Sequence, residues 1–237
     1  MAPEGRAPAG SAARRARAER ILDAAAELLG QHGYRRVSID DVAARAGVGK
    51  GTVYLHWKTR EALFWAVLQR EAMRLLDALV DRLSEDAGLA LPHRLMPAIF
   101  IAVLRRPLVR ALLLADSEVL GALAVDDSVA AAQRELAGNP DYLGLLASHR
   151  LLRPGLTPAS AGYILGSVMR GFFEQDSGHD SDWPAEQQAG LLAGVLERTI
   201  EIDPPFPEDA VTALSAEVIE LFRAITSVQR AQLERAY

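Results

Sequence analysis

Residues 38–63 read SIDDVAARAGVGKGTVYLHWKTREAL. Gly47, Gly49 and Gly51 lie within five positions together with Lys50, a density typical of loops that wrap phosphate. Either this is a nucleotide cradle or it touches phosphate in another way, and the choice decides the fold. A Walker-type loop requires G-x-x-x-x-G-K-[ST]; here Gly51 follows Lys50, and Ala44 stands where the first glycine belongs. The dinucleotide fingerprint G-x-G-x-x-G fails as well, because counting from Gly47 its last position is Thr52. Both motifs follow a β-strand, whereas DDVAARA has a helical pattern. The glycines do not build a nucleotide cradle.

Ser38 and Asp41 have the spacing of a capping box, which predicts a helix over 39–46 stopped by Gly47, a residue that tolerates positive φ. A two-turn helix over 50–56 follows, and another begins near Thr59 or Arg60. Upstream, Ile21, Leu22, Ala25, Leu28 and Leu29 share one face and predict a helix over 13–31, closed by Gly33. A short helix, a glycine turn and a second short helix make a helix-turn-helix. Ala43 is small where the helices must cross, and Val42, Val48 and Val53 supply the apolar contacts. A generic helical hairpin is the competing reading of these residues taken alone.

Charge agrees with the helix-turn-helix. The chain of 237 residues carries a net charge of −5, yet residues 1–60 hold eleven Lys and Arg against six Asp and Glu, and the remainder fifteen against twenty-five. The lysines are Lys50 and Lys58, both within the opening stretch. Half the residues are hydrophobic, enough for a sizeable core, and the absence of cysteine excludes disulfides, thiolate metal sites and a cysteine nucleophile. The histidines at 32, 56, 93, 149 and 179 show no metal-binding spacing, so neither a metal nor a cofactor is expected. No secretory h-region and no apolar run approaching ~20 residues is present, so the expected location is cytoplasmic, without a membrane partner.

The stretch 38–63 resembles the DNA-binding segment of the TetR family of one-component bacterial regulators, whose pattern runs T-x-x-x-I-A-x-x-A-G-V-S-x-G-x-x-Y-x-H-F-x-x-K-x-x-L. Ser38, Val42, Ala43, Ala46, Gly47, Val48, Gly51, Tyr54, His56 and Leu63 match it. Gly49 departs where the family has a serine, a weaker N-cap by a few tenths of a kcal/mol. Trp57 and Arg60 depart while keeping an aromatic and a cation. Beyond about residue 70 the likeness is only to a general all-helical shape. The resemblance implies an all-α chain: a tail without structure over 1–12, a three-helix DNA-binding domain over 13–59, and a helical ligand-binding and dimerisation domain over 60–237.

The helix 50–56 then enters the major groove of double-stranded DNA. Gly51 lets the backbone approach closely; Lys50 reaches guanine O6/N7 or a phosphate, and Tyr54 a phosphate or a thymine methyl. The resemblance makes Thr52, His56 and Lys58 phosphate clamps, although His56 can instead pack under Trp57. Ser38 and the start of its helix offer N–H groups to a further phosphate. Arg14, Arg15 and Arg17 form a basic arm that either follows the backbone or is a solvated tail.

No strand alternation appears after residue 60. Helices are predicted over 60–83, 92–105, 108–115, 118–124, 128–150, 158–176, 184–201 and 208–235, with Pro140 splitting or kinking the fifth of these. One reading head spans too few base pairs for selectivity, so a homodimer is expected. Its interface is placed on 158–176 and 184–201 through Gly162, Gly166, Arg170, Leu191 and Val195, with packing inside one subunit as the alternative. Trp65, Met73, Met96, Phe100, Met169 and Phe173 are the candidate pocket residues, although such side chains at helical spacing also build cores. Polar candidates are His93, Arg94, Asp116, Glu118 and Arg170. The expected function is a repressor that binds a palindromic operator as a dimer and is released by a small, largely apolar effector. A helical enzyme, or a DNA-architectural protein without a ligand, is the alternative.

Overall fold

The computed structural model describes residues 9–125, 140–177 and 183–235. Among them there is no β-strand, only an isolated antiparallel bridge between Leu152 and Glu201. Helices α1 (Ala9–His32), α2 (Ile39–Ala46), α3 (Lys50–His56) and α4 (Arg60–Glu85) are followed by α5 (Pro92–Leu104), α6 (Pro107–Leu114) and α7 (Ser117–Leu120). Then come α8 (Pro140–Ser148), α9 (Pro158–Ser177), α10 (Ala185–Thr199) and α11 (Glu208–Glu234). Proline at the first position starts α5, α6 and α9, where its missing N–H costs nothing.

Two expectations are corrected. Helix α1 begins at Ala9, so residues 9–12 are helical and not part of an unstructured tail; residues 1–8 lie outside the described residues. The helix expected over 118–124 ends at Leu120, because Gly121 takes φ +56° and the chain continues as a 3₁₀ turn to Val125. Of the helix expected over 128–150, the described part runs from Pro140 to Ser148, and the 128–139 part falls outside the described residues. Short 3₁₀ turns at Tyr34–Arg36 and Ala87–Ala90 had no sequence signal.

Apolar burial is divided between two cores. The first gathers Ile21, Leu22, Val42, Val53, Trp57 and the α4 residues Leu63 to Met73, and it draws in Leu108, Leu112, Leu120, Leu123 and Leu233 from later in the chain. The second gathers Leu75, Leu79 and Leu83 of α4 with Phe100, Leu146, Leu165, Phe173, Leu192, Leu196 and Val218. Helix α4 thus belongs to both. Helix α10 packs along α5, and α11 runs antiparallel to α4: Ser215 Oγ donates to the Leu83 carbonyl at 3.3 Å, and Gln69 Nε2 donates to Gln232 Oε1 at 3.4 Å.

Ion pairs fasten α1 to α4. The buried Arg70 guanidinium lies 3.1 Å from Glu19 and 2.9 Å from Asp23, and Arg74 reaches Asp23 and Glu71. A second fastening joins the first core to α7. The Tyr34 ring lies against Gly121, where a Cβ would overlap it, so this packing needs glycine on two counts, space and φ.

Candidate nucleic-acid interface

The geometry of the reading head follows from local chemistry. Ser38 Oγ accepts from the Asp41 backbone N–H at 3.2 Å, and Asp41 Oδ2 accepts from the Ser38 N–H at 2.9 Å and from its hydroxyl at 2.6 Å. This closed capping box starts α2 and holds the Asp41 carboxyl below the ordinary carboxylate range. Gly47 ends the helix in the left-handed region at φ +65°, and the Val48 N–H returns to the Ala43 carbonyl at 3.0 Å. Extended Gly49 then starts α3 without a side-chain cap, as its lack of a hydroxyl requires.

Helix α3 has two faces. Val53, His56 and Trp57 are buried, and Thr52 is half-buried. Lys50, Gly51, Tyr54 and Leu55 are exposed on the other side, at the i, i+1, i+4 and i+5 spacing of one helical stripe, and Lys58 is exposed just past the extended residue Trp57 that ends the helix. Lys50 Nζ donates to Asp40 Oδ2 at 2.7 Å, which pushes the Lys50 ammonium upward and keeps it charged. Lys58 Nζ donates to the Tyr54 carbonyl at 3.4 Å, at the open end of the helix. Thr59 accepts from the Ala62 N–H at 3.0 Å and starts α4.

Ser38, Lys50, Gly51, Thr52, Tyr54 and Lys58 therefore lie at or near the surface around one turn. His56 differs. It is 7% exposed, with its ring centroid 5.4 Å from that of Trp57, so little of the ring is left to reach a phosphate. Its packing fixes the angle at which α3 leaves the core. Arg15, expected in a basic arm, is helical and paired with Glu234 at 3.0 Å; Arg14 and Arg17 are exposed on the same helix. Arg60, standing where the resembled family has lysine, has its guanidinium 4.2 Å from the Tyr34 ring centroid and donates to the Val37 carbonyl. Sequence reasoning missed two features of this surface. Arg35 and Arg36 are exposed in the 3₁₀ turn just before Ser38, and Leu55 is 66% exposed. Counting the α3 stripe out to i+5 would have found Leu55.

The candidate pocket residues do not converge. Met96, Phe100, Met169 and Phe173 share the second core, where the Phe100 and Phe173 centroids are 5.1 Å apart. Met73, and half-buried Trp65 at its margin, belong to the first core instead. Periodicity marks a residue as buried without saying which core receives it. Four of the five polar candidates have structural partners: His93 Nδ1 lies 2.7 Å from Glu201, Arg94 pairs with Asp86, Asp116 caps α7 and Arg170 pairs with Glu174; the Glu118 side chain is exposed. No group of three or more metal-binding side chains occurs among the described residues. No described helix is long and apolar enough to cross a membrane.

Of the expected interface residues, Gly162 faces inward: a Cβ there would come 3.1 Å from Leu143 of the same chain. Gly166 and Val195 are half-buried, and Arg170 and Leu191 are exposed. Beside them Tyr163 is 80% exposed, an apolar surface that the glycine spacing did not indicate.

A family model described as bacterial regulatory proteins, tetR family, matches residues 21–67. The HTH-type transcriptional repressor KstR of Mycolicibacterium smegmatis is 31% identical over 144 residues, 61% of this chain and 65% of that protein. The uncharacterized HTH-type transcriptional regulator YvdT of Bacillus subtilis is 35% identical over 68 residues, 29% of this chain and 35% of that protein. The matches thus span about a third of the length of YvdT and under two thirds of KstR. The solved structure of NalD from Pseudomonas aeruginosa, titled the secondary repressor of the MexAB-OprM multidrug efflux pump, superposes with a TM-score of 0.58 at 22% identity, covering 80% of this chain and 100% of that one. At that identity the likeness is one of fold. These relatives are regulators and not enzymes. With a capped helix-turn-helix inside the matched segment and an all-helical body behind it, residues 21–67 form a DNA-binding domain similar to that of the TetR family of bacterial regulatory proteins.

Proposed function

We propose that this protein is a transcriptional repressor that binds a palindromic DNA operator as a homodimer and leaves it when a small, largely apolar effector enters the helical body. The observation that carries the reading is the outward stripe of α3, where Lys50, Gly51 and Tyr54 stand exposed above buried Val53, with exposed Lys58 just past the helix end, beside a helix N-terminus capped by Ser38. Such a stripe presents N–H groups, ammonium groups and a phenol to one groove, with Thr52 and the start of α2 on the flanking phosphates. The functional boundary falls near residue 59, with reading on one side and sensing on the other. KstR, a repressor by name, is the relative that supports repression; FasR of Mycolicibacterium smegmatis, 39% identical over 56 residues, is named an activator.

Dimerisation is assigned to the exposed sides of α9 and α10, through Gly166, Arg170, Leu191 and Val195 with Tyr163 added. An isologous pairing of these sides yields the two-fold axis that a palindrome requires. The effector is assigned to the second core around Met96, Phe100, Met169 and Phe173, side chains that can repack around an apolar guest. Ligand binding lowers operator affinity only as far as it favours the conformation that fits the operator less well.

The test is fluorescence anisotropy with a duplex from upstream of the protein's own gene, titrated between 50 and 200 mM salt. With Lys58 and one exposed arginine of the Tyr34–Arg36 turn on phosphates, two cationic contacts per head and four in the dimer make affinity fall on the order of 100-fold over that range. An unrelated duplex is expected to bind much more weakly. Binding that is indifferent to salt, or equal on both duplexes, would overturn the reading; the second outcome is that of an architectural protein.

A further inference from the structure

Asp40 sits on the very surface that has to approach phosphate, and its charge opposes that approach. Its neighbour Asp41 is engaged in the capping box, but Asp40 has no part in capping. Instead its Oδ2 takes the Lys50 ammonium at 2.7 Å, across ten residues of sequence, and both side chains are at least half exposed. A lysine ammonium is a point charge on a flexible four-carbon stem and does not choose its own target. A carboxylate 2.7 Å away removes much of that freedom and screens the ammonium from casual phosphate contact. Leu55, on the same stripe, presents an apolar side chain to solvent at 66% exposure. Five residues of helix separate it from Lys50, ~7.5 Å along the axis, which is roughly two base-pair steps of 3.4 Å.

Resting on the DNA-binding reading above, we propose that Asp40 is a positioning residue for sequence specificity: it aims Lys50 at guanine O6/N7, while Leu55 meets a thymine methyl about two base steps away. The chemistry follows the donor and acceptor pattern of the major groove, where a cation pairs with guanine and an apolar group with the thymine methyl. Asp40 lowers affinity for DNA in general and raises the ratio of specific to non-specific binding.

The experiment selects duplexes from a randomised library with the full-length protein and with Asp40→Ala, Lys50→Ala and Leu55→Ala, each first checked for unchanged thermal unfolding. The wild type is expected to enrich a palindrome with one fixed guanine per half-site and a thymine about two steps from it. Lys50→Ala loses the guanine preference by roughly 5- to 150-fold, the discrimination of a good base contact. Asp40→Ala relaxes the same position and no other, while binding unrelated DNA more tightly. Leu55→Ala relaxes the thymine alone. An Asp40→Ala protein that enriches the wild-type sequence unchanged overturns the proposal. So does a Lys50→Ala protein that weakens binding evenly to all sequences and makes the dimer's salt slope shallower by about two, one for each half-site, the signature of a phosphate contact. A wild type that enriches no sequence removes the DNA-binding reading itself, and this proposal with it.

Discussion

The Tyr34 hydroxyl donates to Glu61 Oε1 at 2.8 Å, while its ring meets Phe64 edge-on at 5.4 Å and carries the Arg60 guanidinium above its face. That bond holds the Glu61 carboxyl below its ordinary 4.5, and burial pushes the Tyr34 phenol upward. A carboxyl with a depressed folded value contributes stability that is complete above the unfolded value and is lost as pH falls through the folded one. The bond is therefore intact at neutral pH and weakens below about pH 4.5. Tyr34→Phe keeps the ring against Gly121 and removes only the donor. Its urea midpoint is expected to fall less between pH 7 and pH 3 than that of the wild type; equal falls would show that the bond carries no pH dependence. At this scale the sequence was least legible. Asp40 and Lys50 lie ten positions apart, and nothing in periodicity pairs them before the turn at Gly47 is in place. His56 carried two readings from the outset, and which of them applied depended on how closely Trp57 packs.

Among the elements, boundaries followed wherever the local chemistry is self-contained. The capping box, the glycine stop at Gly47 and prolines 92, 107 and 158 each act through their own backbone, so the sequence alone places those helix ends. Boundaries that depend on a distant partner were missed. Gly121 interrupts its helix where the Tyr34 ring needs the space, a contact spanning 87 residues that no local pattern encodes. Ser38 offers a direct check on the first class. Ser38→Ala removes one half of the box and leaves the Asp41 N–H without its acceptor, at a cost of about 1 kcal/mol. Thermal unfolding is expected to shift down by roughly 2–4 °C. An unchanged midpoint would show that water replaces the serine hydroxyl at no cost.

For the whole molecule, the sequence announced burial but not its division. Met73 and Met96 read alike as core or pocket residues, yet they fall in different cores because α4 passes from one to the other between Met73 and Leu75. The final helix repeats this arrangement: Val218 and Phe222 are buried in the second core and Leu233 in the first, with Arg230 on Asp77 and Glu234 on Arg15 along the way. Leu233→Ala is expected to cost about 2 kcal/mol, the low end for a buried leucine, because Leu233 lies in the last turn of α11. In hydrogen exchange the early turns of α1 are expected to lose protection while α5 keeps it. Uniform loss in both would mean that the two cores unfold as a single unit.

Helix α4 has 26 residues and is sealed at both ends, so it has almost no span in which to bend. As a stiff rod it is ~39 Å long. Pivoting such a rod by ~5° carries its far tip through roughly 3.4 Å, the rise of one base pair. Under the proposed function, a disturbance of a few degrees among Phe100 and its neighbours would reach the Arg60 end of α4 as a displacement of about one rung on the DNA ladder.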